Sequence, residues 1–540
     1  MKPKILIVSE FSDLSTGYAV YTKELLNELS KKYTVAELAS YISEDDPRIL
    51  NKNWKVYPVM PSRNNKKLLK EISSDQSNAF GKWRFEQTLL DFKPTHVISI
   101  RDKWFDEWID LSPYRDTFNW AWLATVDAPS QHPEWMDLYS RCDGILTYND
   151  WSKDTLEEES NGRIKVFGVA PPSTPKQLIE LNKELIKEQF GLKGKYILGT
   201  VMRNQKRKLF PDLFKAFRQI LDETERNDLL LYCHTSYPDQ GWDIPTLLLK
   251  HGISSKVLFT YICSGVDNNG NQNCKYWEPR FFSDSNAVCP KCNRPTLSMS
   301  NVKTGLDTEQ LCIIYNLFDL YTQYAILEGM GMPPVEAASC SVPVTETDFS
   351  AMKDVVRKLS GIPIEVKITQ HEMETGRDYS IPDIDDFVKK VKKFFNRPKQ
   401  LIKLDGKKAK NSAEKNYNWD KSIQTWVNYI ESVDITPYEK AWKKERKILP
   451  EPPFKNGLSN RNLVKYILKN TFPRLLNSYI ELKMVRQLNM GIIQNHMSVN
   501  LMDDTSWFGR NNSMRFTQED CYNYFINMVR NYNKWENIRG

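Results

Sequence analysis

Short apolar runs alternate with longer amphipathic stretches twice along this chain, and that rhythm constrains its fold more than any other feature. The first series reads "KILIVSEF" from Lys4, the helical "AVYTKELLNELSKKY", "TVAELAS", then "THVISI", "NWAWLATVDAP" and "GILTYND". Apolar runs of this length suit strands buried on both faces, and the 3.6-residue pattern between them suits covering helices. Repeated strand–helix units predict a parallel sheet. "GVAPPSTP", Gly168 to Pro175, breaks the series. A second series then runs from "KYILGTV" through "PDLFKAFRQILDET", "LLLYCHT", "IPTLLLKHGI" and "KVLFTYI". The expected architecture is α/β, with Rossmann-like domains at 1–172 and 173–436. At 540 residues the chain exceeds what one core normally organises.

Two segments fall outside this rhythm. Cysteine- and asparagine-rich sequence interrupts the second series at 261–303. Beyond "ILPEPPF", Ile448 to Phe454, lies sequence of a different character. The net charge of +7 is concentrated there: from Pro437 to Gly540 there are 17 Lys/Arg against nine Asp/Glu. Most of that charge lies between Lys440 and Arg486, interleaved with Trp442, Phe454, Tyr466, Phe472 and Tyr479. The reading is a basic helical extension at 437–540, either a solvated surface or a face for phosphates or an anionic membrane. No apolar run approaches the length of a membrane span.

In the interruption, Cys289 and Cys292 form a CPKC knuckle, and Cys263 and Cys274 supply a second, expanded pair. Four thiolates so spaced predict a structural zinc site resembling a zinc ribbon, with unpaired or disulfide-linked cysteines as the alternative. A closed four-thiolate site leaves no open position for catalysis, and its metal would supply folding energy to a lobe with little apolar core. The odd total of nine cysteines fits a reducing, cytoplasmic setting.

The most informative stretch is "EGMGMPPVEAASCSVPV", Glu328 to Val344. Glu328 and Glu336 flank a glycine turn that opens a helix at a Pro-Pro pair, where proline is well placed. The N–H groups of Met330, Gly331 and Met332 would face an anion at the positive end of that helix. Upstream, "GTVMRNQKRKLFPDLFKAF" places Arg203 and Lys208 in a loop between a strand and a helix.

Together these segments resemble the E-x7-E motif and basic loop of the large retaining glycosyltransferase family four, whose fold is two facing Rossmann-like domains of the GT-B type. The resemblance covers roughly residues 1 to 433 apart from the inserted cysteines. It departs at Ser341, where the family commonly has glycine, and at Tyr324, which stands at the family's serine. It implies a retaining transfer of sugar from a nucleoside-diphosphate sugar to an acceptor hydroxyl. Arg203 and Lys208 would hold the donor diphosphate, Glu328 would lie near the sugar hydroxyls, and Glu336 would accept from the ribose. Gly17 in "SDLSTGYAVYTKEL" is similar to the family's turn after the first strand, and Asp127 and His132 are similar to residues lining the acceptor cleft. A glycan, lipid or protein acceptor leads. Glycosylation of a hydroxymethylated DNA base, served by the extension and the ribbon, stays open. So do a non-catalytic nucleotide-sugar-binding protein and a phosphorylase or sugar-phosphate synthase.

Overall fold

The computed structural model describes residues 2–14, 16–73, 75–265, 274–283, 287–301, 304–372, 375–443, 449–490 and 517–534. The first series folds into seven strands: β1 (Lys4–Glu10), β2 (Thr34–Ser43), β3 (Lys55–Met60), β4 (His96–Ser99), β5 (Asn119–Ala124), β6 (Gly144–Thr147) and β7 (Val166–Val169). They lie in the order 3-2-1-4-5-6-7, and every pair is parallel. Ile5, Leu6, Ile7 and Val8 are fully buried. That burial explains why β1 reads as a continuous apolar run rather than an alternation.

The second series gives β8 (Tyr196–Val201), β9 (Leu229–His234), β10 (Val257–Cys263), β11 (Trp277–Phe281), β12 (Leu297–Met299), β13 (Leu320–Gln323), β14 (Val344–Thr347) and β15 (Ile362–Ile364). Their order is 11-10-9-8-13-14-15, with β11 and β12 antiparallel to β10. Two Rossmann-like sheets therefore form, as the strand–helix alternation predicts. The cysteine-rich segment extends the outer edge of the second sheet, because its strands β11 and β12 both pair with β10. Most of its polar loop, 266–273, lies outside the described residues. A hairpin of β16 (Val366–His371) and β17 (Asp378–Pro382) follows β15.

The helix Trp419–Ser432 comes after the second sheet in sequence yet packs on the first. Trp426 Nε1 donates to Tyr21 Oη at 2.8 Å, and Tyr429 Oη donates to Asn119 Oδ1 at 2.6 Å. A Cβ at Gly144 would fall 2.2 Å from Tyr429 Oη, so only glycine permits this approach.

The described part of the extension contains four α-helices, Thr436–Lys443, Asn460–Thr471, Tyr479–Met490 and Gln518–Lys534. It has a core of its own, in which Leu463, Val464, Ile467, Leu468 and Val529 are fully buried beside Leu111 of the first domain. Each such side chain contributes roughly 1.5–3 kcal/mol of burial. Its interleaved aromatics are used in packing. Trp442 stacks on Tyr114 at 5.7 Å, Phe454 meets Tyr522 at 5.1 Å, Phe472 is buried, and Tyr479 lies edge-on to His132. The stretch "GIIQNHMSVNLMDDTSWFGRNNSMRF", 491–516, lies outside the described residues. Among the described residues no helix is long and apolar enough to cross a membrane.

Where the extension docks, Lys483 Nζ pairs with Glu134 at 2.6 Å. Close by, burial and then the Glu134 charge push the Glu107 carboxyl up to about 8 from its ordinary 4.5. The proton is held more tightly in the folded state, so Glu107's contribution to stability is present below about pH 4.5 and lost as the pH rises toward 8. Glu107→Gln stays neutral throughout. It is expected to raise the melting temperature at about pH 8 and to leave it unchanged near pH 4.5. Equal shifts at both pH values in a thermal-melt series would contradict this account.

Candidate active site

In each sheet the strand order reverses at one place, between β1 and β4 in the first and between β8 and β13 in the second. Open α/β sheets bind ligands at such switch points, beyond the carboxyl ends of the strands. The loops leaving these four strands carry Gly17, Asp102, Arg203 to Lys208, and Glu328. They converge between the domains.

Lys208 is 6 % exposed and forms an ion pair with the 7 %-exposed Glu328. Arg207 Nη1 holds the other Glu328 oxygen at 2.6 Å, and Gln323 Nε2 donates to the first at 3.0 Å. Gln323 is itself fixed by Tyr321 Oη at 2.6 Å. Burial, and next the neighbouring Arg207 charge, lower the Lys208 pKa, while Glu346 acts in the opposite direction. Glu346, on β14, is fully buried, and among the described residues neither of its carboxylate oxygens has a hydrogen-bond partner. Burial drives its pKa well up, opposed by the Lys208 charge. A buried carboxyl without a partner is costly unless it is protonated or awaits a ligand.

The glycine turn lies over this cluster. Gly331 has φ +75°, and a Cβ there would sit 3.4 Å from Glu346 Oε1. A Cβ on Gly329 would fall 2.7 Å from Thr125 Cγ2 of the first domain. Glycine is needed at the first for conformation and at the second for close approach. Asn149 Nδ2 donates to Gly329 O at 3.0 Å and fastens the turn to the first domain. The helix Met332–Ser339 starts from Gly331 with prolines in its first turn and no side-chain cap, and Met330 is buried beside it. Its orphan N–H groups make the positive end of that helix a place for an anion. Glu336, one turn in, accepts from Tyr315 Oη at 2.5 Å, and burial raises its pKa.

The other predicted residues take different places. Arg203 is about half exposed and makes a bidentate contact with Asp239, at 2.8 and 3.0 Å. Its guanidinium holds the Asp239 carboxyl down at about 2. The structure thus brings Lys208, not Arg203, to Glu328. Gly17 opens the helix Gly17–Leu29 behind Thr16, and the next residue, Tyr18, donates to Asp102 at 2.9 Å. Asp127 accepts from Arg377 Nη1 at 2.7 Å, an ion pair from the hairpin across to the first domain. His132 caps the helix Pro133–Ser140, its Nδ1 accepting from Glu134 N at 3.3 Å.

Sequence reasoning overlooked Arg207, Glu346, Asp102 and Arg377. The family resemblance singled out Arg203 and Lys208 within a loop rich in cations. Glu346 left a readable signal, a carboxylate within the short strand "VTET".

The sulfurs of Cys263, Cys274, Cys289 and Cys292 lie within 4.8 Å of one another. Cys263 to Cys292 and Cys274 to Cys289 both measure 3.6 Å. Disulfide sulfurs sit at about 2.05 Å, whereas thiolates at the corners of a tetrahedron with ~2.3 Å metal–sulfur bonds stand about 3.8 Å apart. The donor set fits a closed four-thiolate metal site, and all nine cysteines are free.

No protein-family model matches the sequence, and no curated protein matches it. Solved structures do match by fold. A sucrose-phosphate synthase from Thermosynechococcus elongatus superposes with a TM-score of 0.55 at 12 % identity, over 80 % of this chain and 99 % of that one. HepE from Anabaena, in complex with UDP and glucose, gives 0.53 at 11 % identity over 80 % and 100 %. WaaG, a glycosyltransferase involved in lipopolysaccharide biosynthesis, gives 0.51 at 12 % over 80 % and 100 %. At these identities the match establishes the fold, which is GT-B.

Proposed function

We propose that this chain is a retaining glycosyltransferase that moves a sugar from a nucleoside-diphosphate sugar to an acceptor hydroxyl. The observation that carries this reading is the Arg207–Lys208–Glu328 cluster with unpartnered Glu346, set where the switch points of both sheets face each other. Glycosyl transfer builds positive charge at the anomeric carbon and negative charge on the departing diphosphate, so preorganised electrostatics supply most of the acceleration. Lys208, with Arg203 at the rim and the amino end of the helix Met332–Ser339, would neutralise the leaving group. Arg207 joins that set. Glu328 would turn from its cations to the sugar hydroxyls, and Glu336 would accept from the ribose. Met330, Gly331 and Met332 would present backbone N–H groups to the donor, and Gly17 would border it from the first domain. Asp127 and His132 would line the acceptor side.

Cys263, Cys274, Cys289 and Cys292 would hold one structural zinc ion, remote in role from the transfer. Free thiolates suit a reducing compartment such as the cytoplasm. Trp442, Phe454 and Phe472 are spent in packing, so among the described residues of the extension these three rings present no open face to nucleic acid. A glycan, lipid or protein acceptor is therefore favoured over a DNA base.

The test is nucleotide release from a panel of UDP-, GDP- and ADP-sugars. Release from one donor, abolished by Glu328→Ala, is the expected result. Binding of a donor without release under any acceptor condition would leave a non-catalytic binding protein, and no binding of any donor would end the donor-site reading.

A further inference from the structure

Aromatic rings line the carboxyl edge of the first sheet in an unbroken series of contacts. Tyr41, near the end of β2, lies edge-on to Phe80 at 6.2 Å, and Phe80 meets Phe105 at 4.3 Å. Trp104 follows at 5.9 Å from Phe105 and 6.4 Å from Trp135. His132 packs on Trp135 at 5.6 Å and on Tyr479 at 6.0 Å, so the extension supplies the last ring. Tyr41 is 49 % exposed and Trp104 43 %. Large aromatic faces left open at a ligand-binding edge are an expense the core does not explain.

The series adjoins the interdomain site through Lys103. This residue is 2 % exposed, and its ammonium lies 3.3 Å from the Trp135 ring centroid and 5.0 Å from that of Trp104. Burial lowers its pKa to about 8, while the charges of Asp127 and Asp102 oppose that shift. Arg377 also acts on it from the second domain, which places Lys103 beside the domain junction.

Open rings along a sheet edge suit two polymers, single-stranded nucleic acid and glycan. Nucleic acid requires a positively charged track for its phosphates. Here the charges are mixed rather than of one sign: Glu107 and Glu134 beside Lys483 and Lys82, Asp102 and Asp127 beside Lys103 and Arg377, and Glu10 and Arg101 near Tyr41. Residues 1–172 carry 22 Lys/Arg against 26 Asp/Glu, a net of −4. A neutral pyranose matches this surface, its C–H face lying on a ring and its hydroxyls donating to carboxylates and accepting from an ammonium.

We infer that the ring series from Tyr41 to Tyr479, with Lys103 and Asp127 at its junction end, is the acceptor subsite and that it takes a neutral oligosaccharide. This rests on the transferase reading above and specifies its acceptor. The extension then has a direct part in substrate binding through Tyr479.

The full-length protein is titrated with neutral oligosaccharides of increasing length, with single-stranded oligodeoxythymidine and with UDP, following tryptophan fluorescence and calorimetry. Oligosaccharide binding is expected to strengthen with length and to be unaffected between about 50 and 200 mM salt, conditions that weaken phosphate-based binding steeply. Trp104→Ala should weaken it at least about tenfold with UDP affinity unchanged, and Trp104→Phe should restore most of it. Tyr41→Ala should weaken only the longer oligosaccharides. Wild-type affinity in Trp104→Ala, or salt-sensitive binding of the oligonucleotide in place of sugar, would overturn the inference. UDP binding with no oligosaccharide binding defeats the acceptor site alone, whereas oligosaccharide binding without any donor binding defeats the transferase reading and leaves a glycan-binding surface.

Discussion

Lys208→Ala is expected to lower kcat for nucleotide release by about 10²- to 10³-fold, the cost of removing one preorganised partner of a developing negative charge. The side chain is 6 % exposed and its ion-pair partner, Glu328, is 7 % exposed, so water cannot readily take the place of the lost ammonium. Folding should survive the change, because Arg207 still holds Glu328 at 2.6 Å and Gln323 still donates to it. Arg203→Ala is the informative companion. Its guanidinium is about half exposed and already committed to Asp239, and an exposed pair of that kind contributes little in high dielectric. The loss there should be smaller by an order of magnitude or more. Steady-state nucleotide release and thermal melts of both variants decide the matter. A Lys208→Ala enzyme within threefold of wild type, or a larger loss at Arg203, would remove Lys208 from the leaving-group role.

That contrast also marks how far sequence reaches. Strand–helix rhythm gave both sheets because buried parallel strands need continuous apolar runs, and β1 and β8 carry them. Glu328 and Gly331 were legible because a glycine turn before a Pro-Pro helix start is a chemical device as well as a pattern. Arg207 was not. Residues 206, 207 and 208 are all cations, and only the direction in which the loop turns decides which two face Glu328. Glu346 announced itself as a charge in a buried strand, yet its relation to Gly331 depends on how β14 lies under the turn. The aromatic residues of the extension read as part of either a solvated surface or an interaction face, and the structure buries Phe472 and stacks Trp442 on Tyr114, since composition cannot tell a docking surface from a docked one. The Tyr41-to-Tyr479 ring series joins residues more than 400 positions apart, which no local period encodes.

Cys289→Ser is expected to remove most of the bound metal, which elemental analysis of the wild-type protein should give as one zinc ion per chain. Serine cannot supply the thiolate, and the site's other sulfurs would be left close together without the ion that offsets their charge. The consequence should not stay within the ribbon. Cys263 ends β10, whose neighbours are β9 on the parallel side and β11 and β12 from the cysteine segment, so loosening that segment exposes the edge of the second sheet. Structural zinc sites supply an apparent ~10–16 kcal/mol of binding free energy, comparable with the whole stability of a domain at about 5–15 kcal/mol. Even a modest share of it, transmitted through β10, lowers the melting temperature by on the order of 10 °C in a domain of this size. Donor binding, by contrast, should persist at low temperature, because Lys208, Glu328 and Gly331 leave β8 and β13 rather than β10. Full zinc content in Cys289→Ser, or an unchanged melt after its loss, would reject the structural role. Loss of turnover without any change in stability would instead assign the metal to the reaction.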